Sequence, residues 1–225
     1  MPGCTLVMDT SASPLLLALE KDGHLFSARR AGIKQEKLLF PLLHQLLAKA
    51  HASLPDISRV LIIRGPGRFT GIRIALTFAS MMQMLNHTRI LGVTLFDVLS
   101  YQAQHTRSYQ AWRKQHPTGR CAVVLHAFRE EYFLQVLGET PQWLSREELL
   151  RQLAACASPL FVVGTDKEFK PLDTLLGNQY TLAPYRACRV QARTLLQLAQ
   201  ADKWAENALE PLYLKPARFE LEGAK

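Results

Sequence analysis

The sequence predicts an α/β protein of two lobes, and three stretches predict it. Thr5-Leu-Val-Met-Asp9-Thr-Ser11 reads as an apolar strand that ends in an acidic, hydroxyl-bearing turn. Asp22-Gly23, set between apolar runs, is a strong short hairpin signal. Arg59-Val-Leu-Ile-Ile63 leads through Gly65-Pro-Gly-Arg-Phe-Thr-Gly71 into Ile74-Ala-Leu-Thr-Phe78, the pattern of a buried strand, a tight turn and a helix start.

Taken in order, the first strand is followed by strands at Pro14–Leu19 and Leu25–Arg29. A leucine-rich helix over Glu36–Ala50 follows, then the strand ending at Ile63, a helix over Thr70–Leu85 and a strand at Arg89–Val93. This β-β-β-α-β-α-β order is that of the ribonuclease-H-like, actin-like (ASKHA) lobe, and it predicts a first lobe over residues 1–106. A second, smaller lobe over 107–225 is plainer. Strands are expected at Arg120–Leu125 and Tyr132–Leu137, joined by a turn at Arg129–Glu131. Ser145 and Glu148 form a capping box for a helix to Ala155. Leu160–Val163 reads as a short buried strand, Val190–Ala201 as a closing helix that could return to the first lobe, and Glu210–Lys215 as an extended tail.

The glycine turn has a physical reading of its own. Gly65 and Gly67 can take positive φ, Pro66 fixes one torsion between them, and Thr70 is the expected N-cap. Free N–H groups at a helix N-terminus attract anions. Yet the spacing fits neither phosphate-loop fingerprint: a Rossmann turn needs glycine where Thr70 stands, and no Gly-Lys-Ser/Thr follows. Tight strand–helix packing is therefore favoured for Gly65, Gly67 and Gly71, which leaves Arg68 and Arg73 as candidates for anion or partner contacts.

Both first-lobe helices carry more apolar surface than one buried stripe requires. Leu38, Leu39, Leu42 and Leu46 recur along the first, and Ile74, Phe78, Met81 and Leu85 along the second, each set at spacings of three and four. Pro41 is expected to kink the first helix or delimit its first turn. The Met81-Met82 pair with Met84 adds adaptable apolar surface. Two readings stand: the helices are covered within their own lobe, or they pair with another chain.

Composition excludes several classes. The 225 residues, 48% hydrophobic, suffice for a real core. No run approaches the roughly 18 apolar residues of a membrane span, and no signal peptide is visible, so a cytoplasmic protein is expected. Cys4, Cys121, Cys156 and Cys188 are scattered, and no histidine pair has the spacing of a helical metal site; no metal or cofactor is expected. The net charge of +8 is the unusual feature. Arg107, Arg113, Lys114 and Arg120, interleaved with Tyr109 and Trp112, could hold phosphates and stack bases, or form a solvated connection between lobes.

Asp9-Thr-Ser, Gly65-Pro-Gly-Arg-Phe-Thr-Gly-Ile-Arg73 and Glu210-Pro-Leu-Tyr-Leu-Lys215, in that order, resemble the TsaB (YeaZ) family. The resemblance runs from about Thr5 to Lys215. It implies a subunit without its own catalytic site in tRNA threonylcarbamoyladenosine synthesis. It further implies a TsaD-like partner that carries metal and catalysis, bound through first-lobe helices, and a TsaE-like ATPase in the larger complex. Transfer RNA would be reached through the partner, and without the partner the same face could form a homodimer. Three positions depart from the family pattern: Gln35 stands where a histidine is usual, His126-Ala127-Phe128 where Asp-Ala-Arg is usual, and Gly164-Thr165-Asp166 where Gly-x-Gly is usual. They bear on nucleotide binding by the second lobe and leave the first-lobe motif intact.

Two enzyme readings compete with the assembly subunit. A self-sufficient actin-fold phosphotransferase needs cleft carboxylates and glycine loops in both lobes. A ribonuclease-H-type nuclease needs about four clustered carboxylates on two metals. Asp9 ends a central strand, whereas Glu36, Asp56 and Asp97 fall near helix starts or connections. A local role for Asp9, bonding the N–H of Thr10 or Ser11, is favoured over catalysis.

Overall fold

Apolar strands dictate two five-stranded sheets in the computed structural model, which describes residues 3–32, 34–165 and 172–215. In the first, β1 (Cys4–Asp9), β2 (Leu15–Lys21) and β3 (His24–Arg30) form an antiparallel meander. Strand β4 (Ile57–Ile63) pairs parallel to β1, and β5 (Arg89–Val93) parallel to β4, giving the order β3-β2-β1-β4-β5. The crossovers are α1 (Gln35–Lys49) and α2 (Phe69–Asn86). Leu6–Met8 of β1 and Val60–Ile63 of β4 are unbroken apolar runs because both faces are covered there. The first-lobe core joins Leu6, Met8, Leu17 and Ile62 with Leu39, Leu43 and Leu46 of α1 and Ala75, Phe78 and Met82 of α2. Helix α7 (Ala192–Ala199) packs near β1, β2 and β4, and Arg59 Nη1 donates to the Ala199 carbonyl at its C-terminus.

The second sheet repeats the pattern. Strand β6 (Arg120–Phe128) pairs antiparallel with β7 (Glu131–Val136), and β7 with β8 (Gln142–Ser145). Strand β9 (Leu160–Gly164) runs parallel to β6, and β10 (Thr181–Leu182) parallel to β9. Both sheets thus place two antiparallel strands on one side of a central strand and two parallel strands on the other, the two-lobed actin-like arrangement. The Ser145–Glu148 capping box is formed, and it opens α5 (Arg146–Ala155).

Local differences from the sequence reading have simple causes. The chain divides into two units inside α3 (Leu95–Gln104): one unit holds the chain to Val98 with Val190–Leu212, the other Leu99–Arg189 with the chain from Tyr213. The closing helix therefore belongs to the first unit. Helix α2 starts one residue before Thr70; its N-cap is Arg68, in extended conformation, with no side-chain cap. Helix α1 runs through Pro41, which is exposed and does not delimit it. The basic segment is no open connection but α4 (Arg107–Gln115), capped when the Thr106 hydroxyl accepts the Tyr109 N–H. Short helix α6 (Leu172–Leu176) completes the second unit. Asp166, part of the altered Gly-x-Gly, lies outside the described residues.

Candidate functional site

Three distant stretches meet at one end of the first sheet. The β1–β2 turn supplies Asp9 to Ser13, the β4–α2 turn supplies Arg64 to Gly71, and the returning chain supplies Ala208 to Leu212. The Arg68 N–H donates to the Ser11 carbonyl at 2.7 Å, the Leu212 N–H to the Arg64 carbonyl at 2.8 Å, and Arg64 Nη1 to the Glu210 carbonyl at 3.1 Å.

Each glycine of the turn marks a place where two backbones touch. A Cβ on Gly71 would lie 1.9 Å from the Thr10 carbonyl oxygen, and one on Gly67 would lie 2.6 Å from that of Ser11. Gly65 combines φ +132° with a Cβ position 2.5 Å from the Leu212 oxygen. What lies against the turn is carbonyl oxygen, which repels a phosphate. At each of these glycines the neighbouring backbone comes too close to leave room for a side chain.

Asp9 is buried, and its carboxylate accepts the Ser11 N–H at 2.9 Å and the Ser11 hydroxyl at 2.6 Å. Burial pushes its pKa up, against the smaller lowering by Ser11 and Arg29. The other carboxylates weighed for a nuclease are engaged locally or stand apart. Asp56 accepts from Ser53, Asp97 from Thr94, and Glu36 is exposed. Among the described residues no three metal-ligating side chains cluster. Gln35, in the place of the usual histidine, is buried and donates to the Ala12 carbonyl at 2.6 Å, tying α1 to the same turn.

Helices α1 and α2 border a groove of about 430 Å³. Leu39 and Phe78 line its depth, Phe40, Ile74 and Met81 its walls, and Glu36, Phe69 and Arg73 its rim. Phe40 stands edge-on to Phe78 with ring centroids 6.2 Å apart, and the Arg73 guanidinium lies 5.2 Å over the Phe69 ring. Of its lining, Phe40 is 46% exposed and Phe69 56%; near the end of α2, Met84 and Leu85 are 78% and 77% exposed.

The eight helix residues singled out from sequence therefore divide. Leu39, Leu42, Leu46 and Phe78 are buried in the lobe core, so their spacing marks the inward stripe and not an outer face. Leu38, Ile74 and Met81 are half-buried at the core's margin, and Leu85 points outward. Phe40 and Phe69 were missed, while Met84, read as adaptable apolar surface, is exposed. Phe40 sits among leucines of the core stripe, and Phe69 precedes the expected helix start. Arg68 and Arg73 are exposed.

The basic helix offers less to nucleic acid than its sequence suggests. Tyr109 and Trp112 are buried against Phe161, with ring centroids 5.2 and 5.4 Å from it. Arg113 donates to the carbonyls of His116 and Pro117 beyond its own helix, while Lys114 is exposed. The aromatic half of a stacking platform is core. Among the described residues no helix is long and apolar enough to cross a membrane.

Comparison with known proteins adds three findings. A family model described as TsaD, tRNA N6-adenosine threonylcarbamoyltransferase, matches residues 29–134. Among curated proteins, the tRNA threonylcarbamoyladenosine biosynthesis protein TsaB of Buchnera aphidicola subsp. Schizaphis graminum is 28% identical over 51% of this chain and 51% of its own length. That of Bacillus subtilis is 23% identical over 96% of this chain and 95% of its own. The match thus spans about half the length of the first relative and nearly all of the second. A solved Pseudomonas aeruginosa structure, of a protein described as similar to peptidase YeaZ, superposes with a TM-score of 0.67 at 24% identity, covering 95% of this chain and 100% of that one.

Proposed function

We propose that this chain, which is similar to the TsaB/YeaZ proteins, serves tRNA threonylcarbamoyladenosine biosynthesis as a noncatalytic assembly or activating subunit. It docks a TsaD-like catalytic subunit on the α1–α2 face; a TsaE-like ATPase joins the larger complex, and transfer RNA is reached through the partner. The observation that carries this reading is the apolar groove of about 430 Å³ lined by exposed Phe40 and Phe69, with Leu85 exposed further along α2. Exposed apolar surface of this extent is costly in water and is characteristic of protein interfaces.

The match to a TsaD description over residues 29–134, which include both helices, supports pairing between two related lobes. Two helices from each would pack as four. Without the partner, the same face can meet a second copy about a two-fold axis. The noncatalytic part rests on Asp9 being held by Ser11 and on carbonyl oxygens filling the glycine turn.

The test mixes the purified full-length chain with its own TsaD-like subunit and follows complex formation by light scattering, then threonylcarbamoylation of tRNA. The expected result is a mixed complex and activity that requires both chains, with no ATP hydrolysis or transfer by this chain alone. Turnover by this chain alone that disappears in Asp9→Asn overturns the noncatalytic reading.

A further inference from the structure

Arg64 opens the glycine turn and bonds the returning chain through both its backbone and its side chain. Its N–H donates to the Val93 carbonyl at 2.9 Å, holding it at the ends of β4 and β5. Its carbonyl accepts the Leu212 N–H and its Nη1 donates to the Glu210 carbonyl, while its Nε is buried without an acceptor among the described residues. The guanidinium is therefore fixed by the returning strap. Ala208 of that strap is buried in the core shared by α1 and α2, Leu209 packs on the same core, and a Cβ on Gly92 would meet the Ala208 oxygen at 2.4 Å.

The other end of this arrangement is the groove. Gly65 presses on Leu212, its own carbonyl accepts the Leu95 N–H at 2.7 Å, and three residues later Arg68 is bonded to Ser11. Helix α2 begins at the next residue, and its first two turns supply Phe69 and Arg73 to the groove rim. An interface formed by a rigid face needs its anchors set before the partner arrives.

We infer that Arg64 is a positioning residue for the α1–α2 face: with the strap Ala208–Leu212 it sets where α2 starts, so seating of the strap and binding at the groove are coupled. The functional half of this statement rests on the docking reading above; the structural half does not.

Native-state hydrogen exchange on the full-length chain separates the two. Arg64→Ala should speed exchange at Leu212 and also at Arg68 and Ile72, while Leu6 to Met8 of β1 keep wild-type protection. Arg64→Lys, which retains one donor toward Glu210, should restore much of it. Association with the TsaD-like subunit should weaken about tenfold in Arg64→Ala and recover in Arg64→Lys. Faster exchange confined to Leu212, or a uniform acceleration that includes β1, overturns the inference. Failure of the wild-type chain to bind that subunit overturns the docking reading, while the exchange pattern still decides the coupling.

Discussion

The backbone N–H of Arg68 donates to the carbonyl of Ser11 at 2.7 Å, joining the turn that ends β1 to the turn that begins α2. Gly67 and Gly71 flank this bond and make it sterically attainable, since a side chain on either would collide with the partner backbone. Gly71→Ala should therefore cost about 3 kcal/mol, at the upper end of overpacking effects. For a chain of this size that lowers the melting temperature by roughly 6–12 °C. Arg68→Ala, whose side chain is exposed, should melt within about 2 °C of wild type. Equal melting of Gly71→Ala and wild type would contradict the packing role.

Asp9 gives a pH dependence of known sign. Its pKa is raised by burial, so the charged form is penalised more in the folded protein than in the unfolded chain. Its contribution to stability is full below the unfolded carboxylate pKa and is lost as pH rises through the elevated folded value. Asp9→Asn keeps an acceptor for Ser11 and removes this titration. Urea midpoints measured from about pH 4, near the unfolded carboxylate pKa, upward to neutrality should favour the Asn variant increasingly over wild type. A difference that is constant with pH, or that shrinks, speaks against the assignment.

The groove distinguishes outward from inward positions on the same helices. Leu85→Asp and Phe40→Asp replace exposed side chains and should leave a folded lobe that no longer binds its partner. Phe78→Asp buries a charge where the native ring is 3% exposed and should destabilise the lobe by about 4 kcal/mol or more. Circular dichroism paired with light scattering sorts the two classes. A folded Phe78→Asp would show that the core assignment is wrong.

Burial raises the Cys121 thiol to about 12, so almost no thiolate is present at neutral pH. Cys121 should resist alkylation in the native protein and react only on unfolding, whereas half-exposed Cys156 and Cys188 should react first. Mass mapping of a brief labelling pulse checks the order.

Much of the architecture was legible because burial writes itself into strands. β1 and β4 carry the apolar runs Leu6–Met8 and Val60–Ile63, Asp22-Gly23 announces the hairpin, and Gly65-Pro-Gly67 ends a strand before a helix. The three landmark motifs were legible separately, but their meeting was not, because a contact between Ser11, Arg68 and Leu212 leaves no local periodicity. The outward face was misassigned for a related reason. Spacings of three and four identify a helical face without saying which way it points, and the strongest apolar stripe, through Leu39, Leu42 and Leu46, is the one that faces the sheet. Tyr109 and Trp112 misled in the same manner: aromatic residues among arginines suit base stacking, yet here they fill a core against Phe161.

Amide hydrogen exchange with and without a TsaD-like subunit measures directly whether the α1–α2 face is the proposed docking surface. Protection should rise in α1 around Phe40 and along α2 from Phe69 to Leu85, with the edge strand β3 and helix α5 unchanged. Protection concentrated on β3 or α5, with both first-lobe helices exchanging as in the free chain, would contradict it.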